Sequence, residues 1–429
     1  MLNKLKKYFN VFTYSPVASV GISNRKNEKV KWVNLLFTLA IAVILNPFFA
    51  AVFACLLGIA KGGGKKYINA LIIACVIFVS LVNSSKMPEN DLQFYVGYFL
   101  DASNMDFIPY LYRLAYYSSG AASDFIKEPV YGSFSFLMYH VTGGQPRVFL
   151  FVYSCLFYLI LSVALYKFCV ALHLSGVATA FCLALLFFTP YIFTMSEQII
   201  RQSFATAIVF YVYTNRFFYG KNSFLWIILA SLIHSSSLLF LIFVFVPFLV
   251  QRITRRNISI YLLIIIIVIF YQYFASNMMN LTGESYALGR AADVTAEDKE
   301  RITVLHLIVS TIITFLPLYC IQKKKSDVYG MNHISHIFLF ILIFIYVNID
   351  NGVMASRINF YVWDYFPFAL AIVLCLYKEF QSGIFFLLLS AALIIMFVVY
   401  LHVGAWKYLC ADDILTNTLF GYFNYQIHL

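Results

Sequence analysis

Charge is what this sequence of 429 residues has least of. Only 11% of its residues are Asp, Glu, Lys or Arg, where a soluble domain carries about a quarter. Acids are the scarcer sign, 19 against 30 basic residues, for a net charge of +11. With 62% hydrophobic residues and a mean hydropathy of +0.82, the chain has more apolar side chain than a water-surrounded core can bury, so lipid must cover the remainder. No soluble domain fits, because the longest stretch between apolar runs is only about 84–147. The eight cysteines include no C-x-x-C pair. Seven of them (Cys55, Cys75, Cys155, Cys169, Cys182, Cys320 and Cys375) lie inside apolar runs and read as small hydrophobes, not as a disulfide framework or a metal site. Also missing are G-x-x-x-x-G-K-[ST], H-E-x-x-H and any nucleotide-binding glycine motif. ATP-driven work has no support, and neither does a nucleic-acid partner.

What is present is a succession of apolar runs of membrane-crossing length, so the fold expected is an all-α polytopic membrane protein. Basic residues gather in the leader up to Lys31, in "KGGGKK" at 61–66, at Arg216 and Lys221, in "QRITRR" at 251–256, in "QKKK" at 322–325 and at Lys378. Such clusters mark the cytoplasmic side. Alternation then places spans near 67–83, 148–171, 177–195, 203–219, 258–275, 302–320, 333–349, 359–377 and 383–401. The segments 32–60 and 223–250 are long for one span and carry Asn46-Pro47 and His234-Ser235-Ser236-Ser237 at their middles, so both read as helical hairpins. This organisation gives a basic cytoplasmic leader (1–31), one membrane domain (32–401) of about 11–13 spanning or hairpin helices, and a C-terminal tail (402–429) on the outer side. The inner side collects most of the basic residues and only Glu28, Asp327 and Glu379 among the acids. With no apolar run before Trp32, the first span is expected to serve as an uncleaved insertion signal.

The polar residues that packing explains least fall on the outer side. Asp91 and Tyr95 lie four apart, on one face if the segment is helical. Glu128 precedes a proline and a weakly charged aromatic stretch. Glu197, Gln198, Arg201 and Gln202 sit between two apolar runs, with Glu197 and Arg201 one helical turn apart. His234 marks a hairpin tip, and Arg357 enters a span with Asp364 two turns below on the same face. Each has a plainer alternative: a solvated loop acid for Asp91, a loop break at Glu128, a local i,i+4 pair for Glu197 and Arg201, a helix-bridging hydrogen bond for His234, and a snorkelling cation for Arg357. Together, five segments sending polar groups to one side suggest a shared pocket, since charge at membrane depth is costly and marks function. Arg290, in the loop 276–301, is a spare candidate in a lid or linker. "HISH" at 333–336 follows a lysine run and reads as a solvated helix start, not a metal site.

The order of these motifs resembles the EpsG/Wzy family of polysaccharide polymerases: Asp91 and Tyr95, then "EPVYG", then "IIRQSFATAI", "LASLIHSSSLL" and "ASRINFYVWDYF", over roughly residues 67–377. The resemblance implies a glycosyltransferase of the bacterial inner membrane, akin to the lipid-dependent GT-C-like class, with its site facing the periplasm. Its substrates would be undecaprenyl-diphosphate-linked glycans as donor and acceptor, polymerised into O-antigen or a similar surface polysaccharide. It would use neither metal nor other cofactor, and a chain-length co-polymerase is a candidate partner. A leaving diphosphate needs cations, for which Arg201 and Arg357 are best placed. The attacking hydroxyl needs a base; Glu128 is favoured over Asp91 because its neighbours are apolar. His234 would bridge the diphosphate or orient the base. Gln202, Tyr95 and Glu197 complete the expected substrate-binding set. A flippase of lipid-linked glycans and an O-antigen ligase are the rival readings. The first is disfavoured by nearly apolar mid-spans, the second by the short loop 276–301.

Overall fold

The apolar runs fold as helices because a backbone in lipid must bond to itself. The computed structural model describes residues 25–119, 128–221, 223–237, 304–326, 328–349, 352–404 and 407–425, with isolated positions between them. In chain order the helices are α1 (Arg25–Leu45), α2 (Pro47–Ala60), α3 (Lys65–Ser84), α4 (Asp91–Asp101), α5 (Phe107–Ser119), α6 (Pro129–Thr142), α7 (Pro146–Ala171) and α8 (Gly176–Phe188). There follow α9 (Pro190–Gln198), α10 (Ile200–Tyr219), α11 (Phe224–Ile233), α12 (Val304–Lys323), α13 (Tyr329–Val347), α14 (Gly352–Leu376) and α15 (Gly383–Val403). The only β pairing among the described residues is an isolated antiparallel bridge, Lys86 to Tyr408. The protein is an all-α multi-pass membrane protein.

Among the described residues, six helices, α3, α7, α12, α13, α14 and α15, are long and apolar enough to cross a membrane; α8 and α9, bent by 50° at Thr189-Pro190, make a seventh if taken as one span. The thirteen passes expected from charge alternation exceed this count for identifiable reasons. The segment 32–60 does break at Asn46, which caps α2 through Phe49 N–H, but each arm is short. α10 has 20 residues, yet it opens with Arg201 and Gln202 and ends with Asn215 and Arg216. α11 stops after ten residues, about 15 Å, half of a hydrocarbon core of roughly 30 Å. Most of 258–275 lies outside the described residues.

The bundle centre is α3, packed between α2 and α7, with α10 on the far side of α7; α12, α13 and α14 form an adjoining group. α15 is apolar around its whole circumference and leaves most of that surface to lipid. The turns divide between two ends. At one end Gly63 meets Gly176, Tyr219 Oη donates to Lys167 O at 2.8 Å, Cys375 Sγ approaches Leu172 O at 3.3 Å, and Lys324 lies over Tyr377. Lys61, Lys65, Lys221 and Lys323–Lys325 flank these contacts, so this is the basic end.

At the other end the tail 407–425 folds back across the helix termini. Met87 N donates to Lys407 O and Leu409 N to Ser85 O, both at 3.0 Å; Asn46 Nδ2 donates to Leu415 O at 2.8 Å and Leu419 N to Ile44 O at 3.1 Å. "HISH" differs from expectation: it lies within α13, with His333 and His336 buried and the His333 ring 3.7 Å from that of Phe217. The lysines before it stay at the bundle end while the helix turns this face inward.

The closest backbone approach gives a test of the basic end. A Cβ on Gly176 would stand 2.3 Å from Gly62 O and 2.5 Å from Gly63 O, whereas one on Gly383 meets only Val177 at 4.0 Å. Gly176→Ala should therefore cost about 1–3 kcal/mol of overpacking and lower the apparent Tm of purified protein, with Gly383→Ala indistinguishable from wild type.

Candidate active site at the end opposite the basic loops

Three local breaks in helical structure bring the site together. Glu128, immediately before Pro129, takes a left-handed conformation (φ 51°, ψ 58°) as the N-cap of α6, a strained geometry costing on the order of 1 kcal/mol for a residue with a Cβ. Ile199 interrupts α9 and α10, so Arg201 stands in the first turn of α10. His234 ends α11 in extended conformation, and Ser235–Ser237 form a 3-10 turn.

These breaks make Glu128 and Arg201 partners. Arg201 Nη1 donates to Glu128 Oε2, with side-chain exposures of 13% and 3%, so the pair is held largely out of water. Glu128 Oε1 accepts from Ser235 N at 3.3 Å and lies 3.9 Å from His234 Nε2, beyond a direct hydrogen bond. Aromatic faces complete the surroundings: the Arg201 guanidinium sits 5.2 Å from the Tyr95 ring centre and 5.8 Å from that of Tyr131. Burial raises the Tyr95 hydroxyl above its ordinary pKa, against the opposing pull of Arg201, so Tyr95 faces the cation as a neutral phenol. Arg201 Nε and the Tyr131 and Tyr153 hydroxyls are buried with no hydrogen-bond partner among the described residues.

A second, more open pair lies alongside. Arg357 Nη2 contacts Asp91 Oδ2 at 3.2 Å, and both side chains are more than a third exposed. Gln202 Nε2 donates to the Arg357 carbonyl at 2.5 Å, which ties the two pairs together. The structure therefore brings together Asp91, Tyr95, Glu128, Arg201, Gln202, His234 and Arg357. It does not place Asp364 with Arg357: that guanidinium turns toward Asp91, while Asp364 is fully buried inside α14 with neither carboxylate oxygen partnered among the described residues. Arg290 lies outside the described residues. No group of three or more His, Cys, Asp or Glu among the described residues is arranged to hold a metal ion.

Glu197 belongs elsewhere. The break at Ile199 removes the one-turn relation to Arg201 expected from a continuous helix, and Glu197 is buried at 2% exposure in the neighbourhood of Lys86 and Arg147. Lys86 is buried completely; its Nζ approaches Thr194 O at 3.3 Å and lies 5.9 Å from the Tyr408 ring centre. Arg147 donates through Nε to Tyr425 O and through Nη1 to Ser84 O at 2.5 Å. This cluster fastens the tail to α3, α7 and α9. Sequence reading missed Lys86, Arg147, Tyr131, Ser236 and Tyr361. The signal for Lys86 was its place after "NSS" at the mouth of a span; Arg147 follows a helix-opening proline.

The sequence profile of the EpsG family matches residues 68–423, and the chain belongs to that family. No curated protein and no solved structure matches it. The match extends past the motif series into the folded tail, and the membership supports a polysaccharide-polymerase type of role in a multi-pass membrane protein.

Lys86 gives the tail cluster a pH signature. Burial lowers its pKa from 10.5 to about 7 against the opposing pull of Glu197 and Glu89. Between those values the unfolded chain holds a proton that the folded chain has released, so stability rises with pH. Titration of Lys86 should therefore raise the apparent Tm of wild type relative to Lys86→Met as pH goes from 7 to 9, a difference between the two proteins that is read at each pH.

Proposed function

We propose that this EpsG-family chain is a glycosyltransferase that joins undecaprenyl-diphosphate-linked repeat units into a surface polysaccharide, working at the periplasmic face of the inner membrane. The observation that carries the reading is the Glu128–Arg201 pair, a carboxylate and a cation shielded from water beside a histidine and a wall of tyrosines. The sidedness rests on the basic loops at the opposite end of the bundle, which mark the cytoplasmic face.

The reaction needs two things from the protein. The acceptor hydroxyl gives its proton to Glu128 as its oxygen bonds to the donor's anomeric carbon. The bond from that carbon to the diphosphate oxygen breaks, and undecaprenyl diphosphate leaves with the electron pair. Arg201 meets the growing negative charge, and a planar guanidinium in a poorly hydrated site is well suited to phosphate oxygens. In the resting state Arg201 and Glu128 neutralise each other. An incoming diphosphate competes for Arg201 and frees the Glu128 carboxylate, so the base becomes available only once the donor is bound. Arg357 and Asp91, at the exposed rim, steer the second headgroup.

The test is removal of the gene from its host and electrophoresis of surface polysaccharide. Loss of a polymerase leaves single repeat units on the lipid A core, whereas loss of a flippase or ligase leaves none. On complementation, Glu128→Gln and Arg201→Ala should each reduce polymer by about 100-fold or more, Arg357→Ala by about 10-fold, and Arg290→Ala should behave as wild type. Full polymer from both Glu128→Gln and Arg201→Ala would overturn the proposal.

A further inference from the structure

The turn after α11 determines what His234 can do. Its Nδ1 faces two donors at once: Ser236 N–H points at it from 3.4 Å, and Ser236 Oγ lies 2.7 Å away. A backbone amide can only donate, so Nδ1 carries a lone pair and the ring proton belongs on Nε2. With its hydrogen committed to Nδ1, Ser236 Oγ is an acceptor for a further group. Tyr361 Oη, one turn above Asp364 on α14, sits 2.5 Å from it and fills that role. The chain of donors therefore runs Tyr361 to Ser236 to His234, and ends with Nε2–H directed toward Glu128 Oε1 across a gap of 3.9 Å.

That gap is too long for a direct hydrogen bond, yet one oxygen atom lying off the line between Nε2 and Oε1 can reach both at about 2.8–3.0 Å. It would accept from Nε2–H and, if it is a hydroxyl, donate to Oε1.

We infer that Ser236 and Tyr361 are positioning residues that lock His234 in its Nε2–H form, making it a hydrogen-bond donor to a substrate oxygen and not a proton acceptor. The inference rests on the proposed role of Glu128 as the base and divides the work between the two residues. Glu128 takes the proton; His234 holds the oxygen in line. It also gives a reason for ending α11 early: an uninterrupted helix would bond the Ser236 amide internally and remove the group that fixes the ring.

The test uses membrane vesicles carrying the full-length protein and, as probe, lipid-linked glycan extracted from the deletion strain, which accumulates the unpolymerised unit. Glutamine places an amide N–H₂ near the position of Nε2, and asparagine places one near Nδ1. His234→Gln should keep the rate of polymer formation within about 10-fold of wild type, and His234→Asn should lose 100-fold or more. Ser236→Ala and Tyr361→Phe should each slow turnover about 10-fold without raising the glycan concentration for half-maximal rate, and Ser236→Thr should restore the loss. In the His234→Gln background the same two changes should add less than about 3-fold, because they act through a ring that is no longer there. Equal costs in both backgrounds, or a His234→Asn enzyme more active than His234→Gln, would overturn the lock. Glu128→Gln in the same vesicles separates the two ideas: wild-type turnover there defeats the base role, whatever the histidine series shows.

Discussion

A carboxylate and a guanidinium buried together in a lipid-embedded bundle are tolerable only as a pair. Removing one partner of such a pair typically costs about 3–5 kcal/mol, because the other charge is left without water or a counter-ion. Glu128 and Arg201 meet this condition with groups that include a guanidinium nitrogen, the Ser235 amide, the approach of His234 and the faces of Tyr95 and Tyr131. Much of the surrounding architecture follows from the need to assemble those groups from distant parts of the chain. Glu128 reaches the pair through a strained backbone, Arg201 through a helix restarted at Ile200, and His234 through a helix halted at half span.

The same constraint governs the second polar cluster. Lys86, Arg147 and Glu197 are also buried, and the tail closes over them by main-chain bonds to Ser85 and Met87 and by the Tyr425 carbonyl on Arg147. This anchors α9, whose last residues precede the break that aims Arg201. One cluster thus sets the frame for the other, and they share α9–α10 as the connecting element. Tail and site are then parts of one structure, in keeping with a family match that runs through both.

Much of this was legible beforehand where charge alone decides the outcome. Basic residues in short breaks separated the two ends, and an acid four residues from a tyrosine placed Asp91 and Tyr95 on one face of α4, where they reach Arg357 and Arg201. Glu128 stood out as a carboxylate among apolar neighbours. The errors came where local continuity was assumed. Glu197 and Arg201 are one turn apart only if the helix continues, and Ile199 breaks it. Asp364 lies two turns below Arg357, but a long flexible guanidinium reaches the nearer carboxylate of Asp91. His333 and His336 follow lysines yet face inward. Ser236 and Tyr361 were invisible because a hydroxyl in a serine run or an aromatic span has no distinctive signature until its partner is known.

The proposed chemistry requires a lipid diphosphate to draw Arg201 from Glu128, and equilibrium binding measures this without any turnover. Undecaprenyl diphosphate, titrated into the purified protein in nanodiscs, should bind Glu128→Gln more tightly than wild type, since the guanidinium no longer has a competing carboxylate, and should lose at least 10-fold in affinity with Arg201→Ala. Undecaprenyl monophosphate should discriminate less among the three proteins. Equal affinity of wild type and Arg201→Ala for the diphosphate would contradict the account.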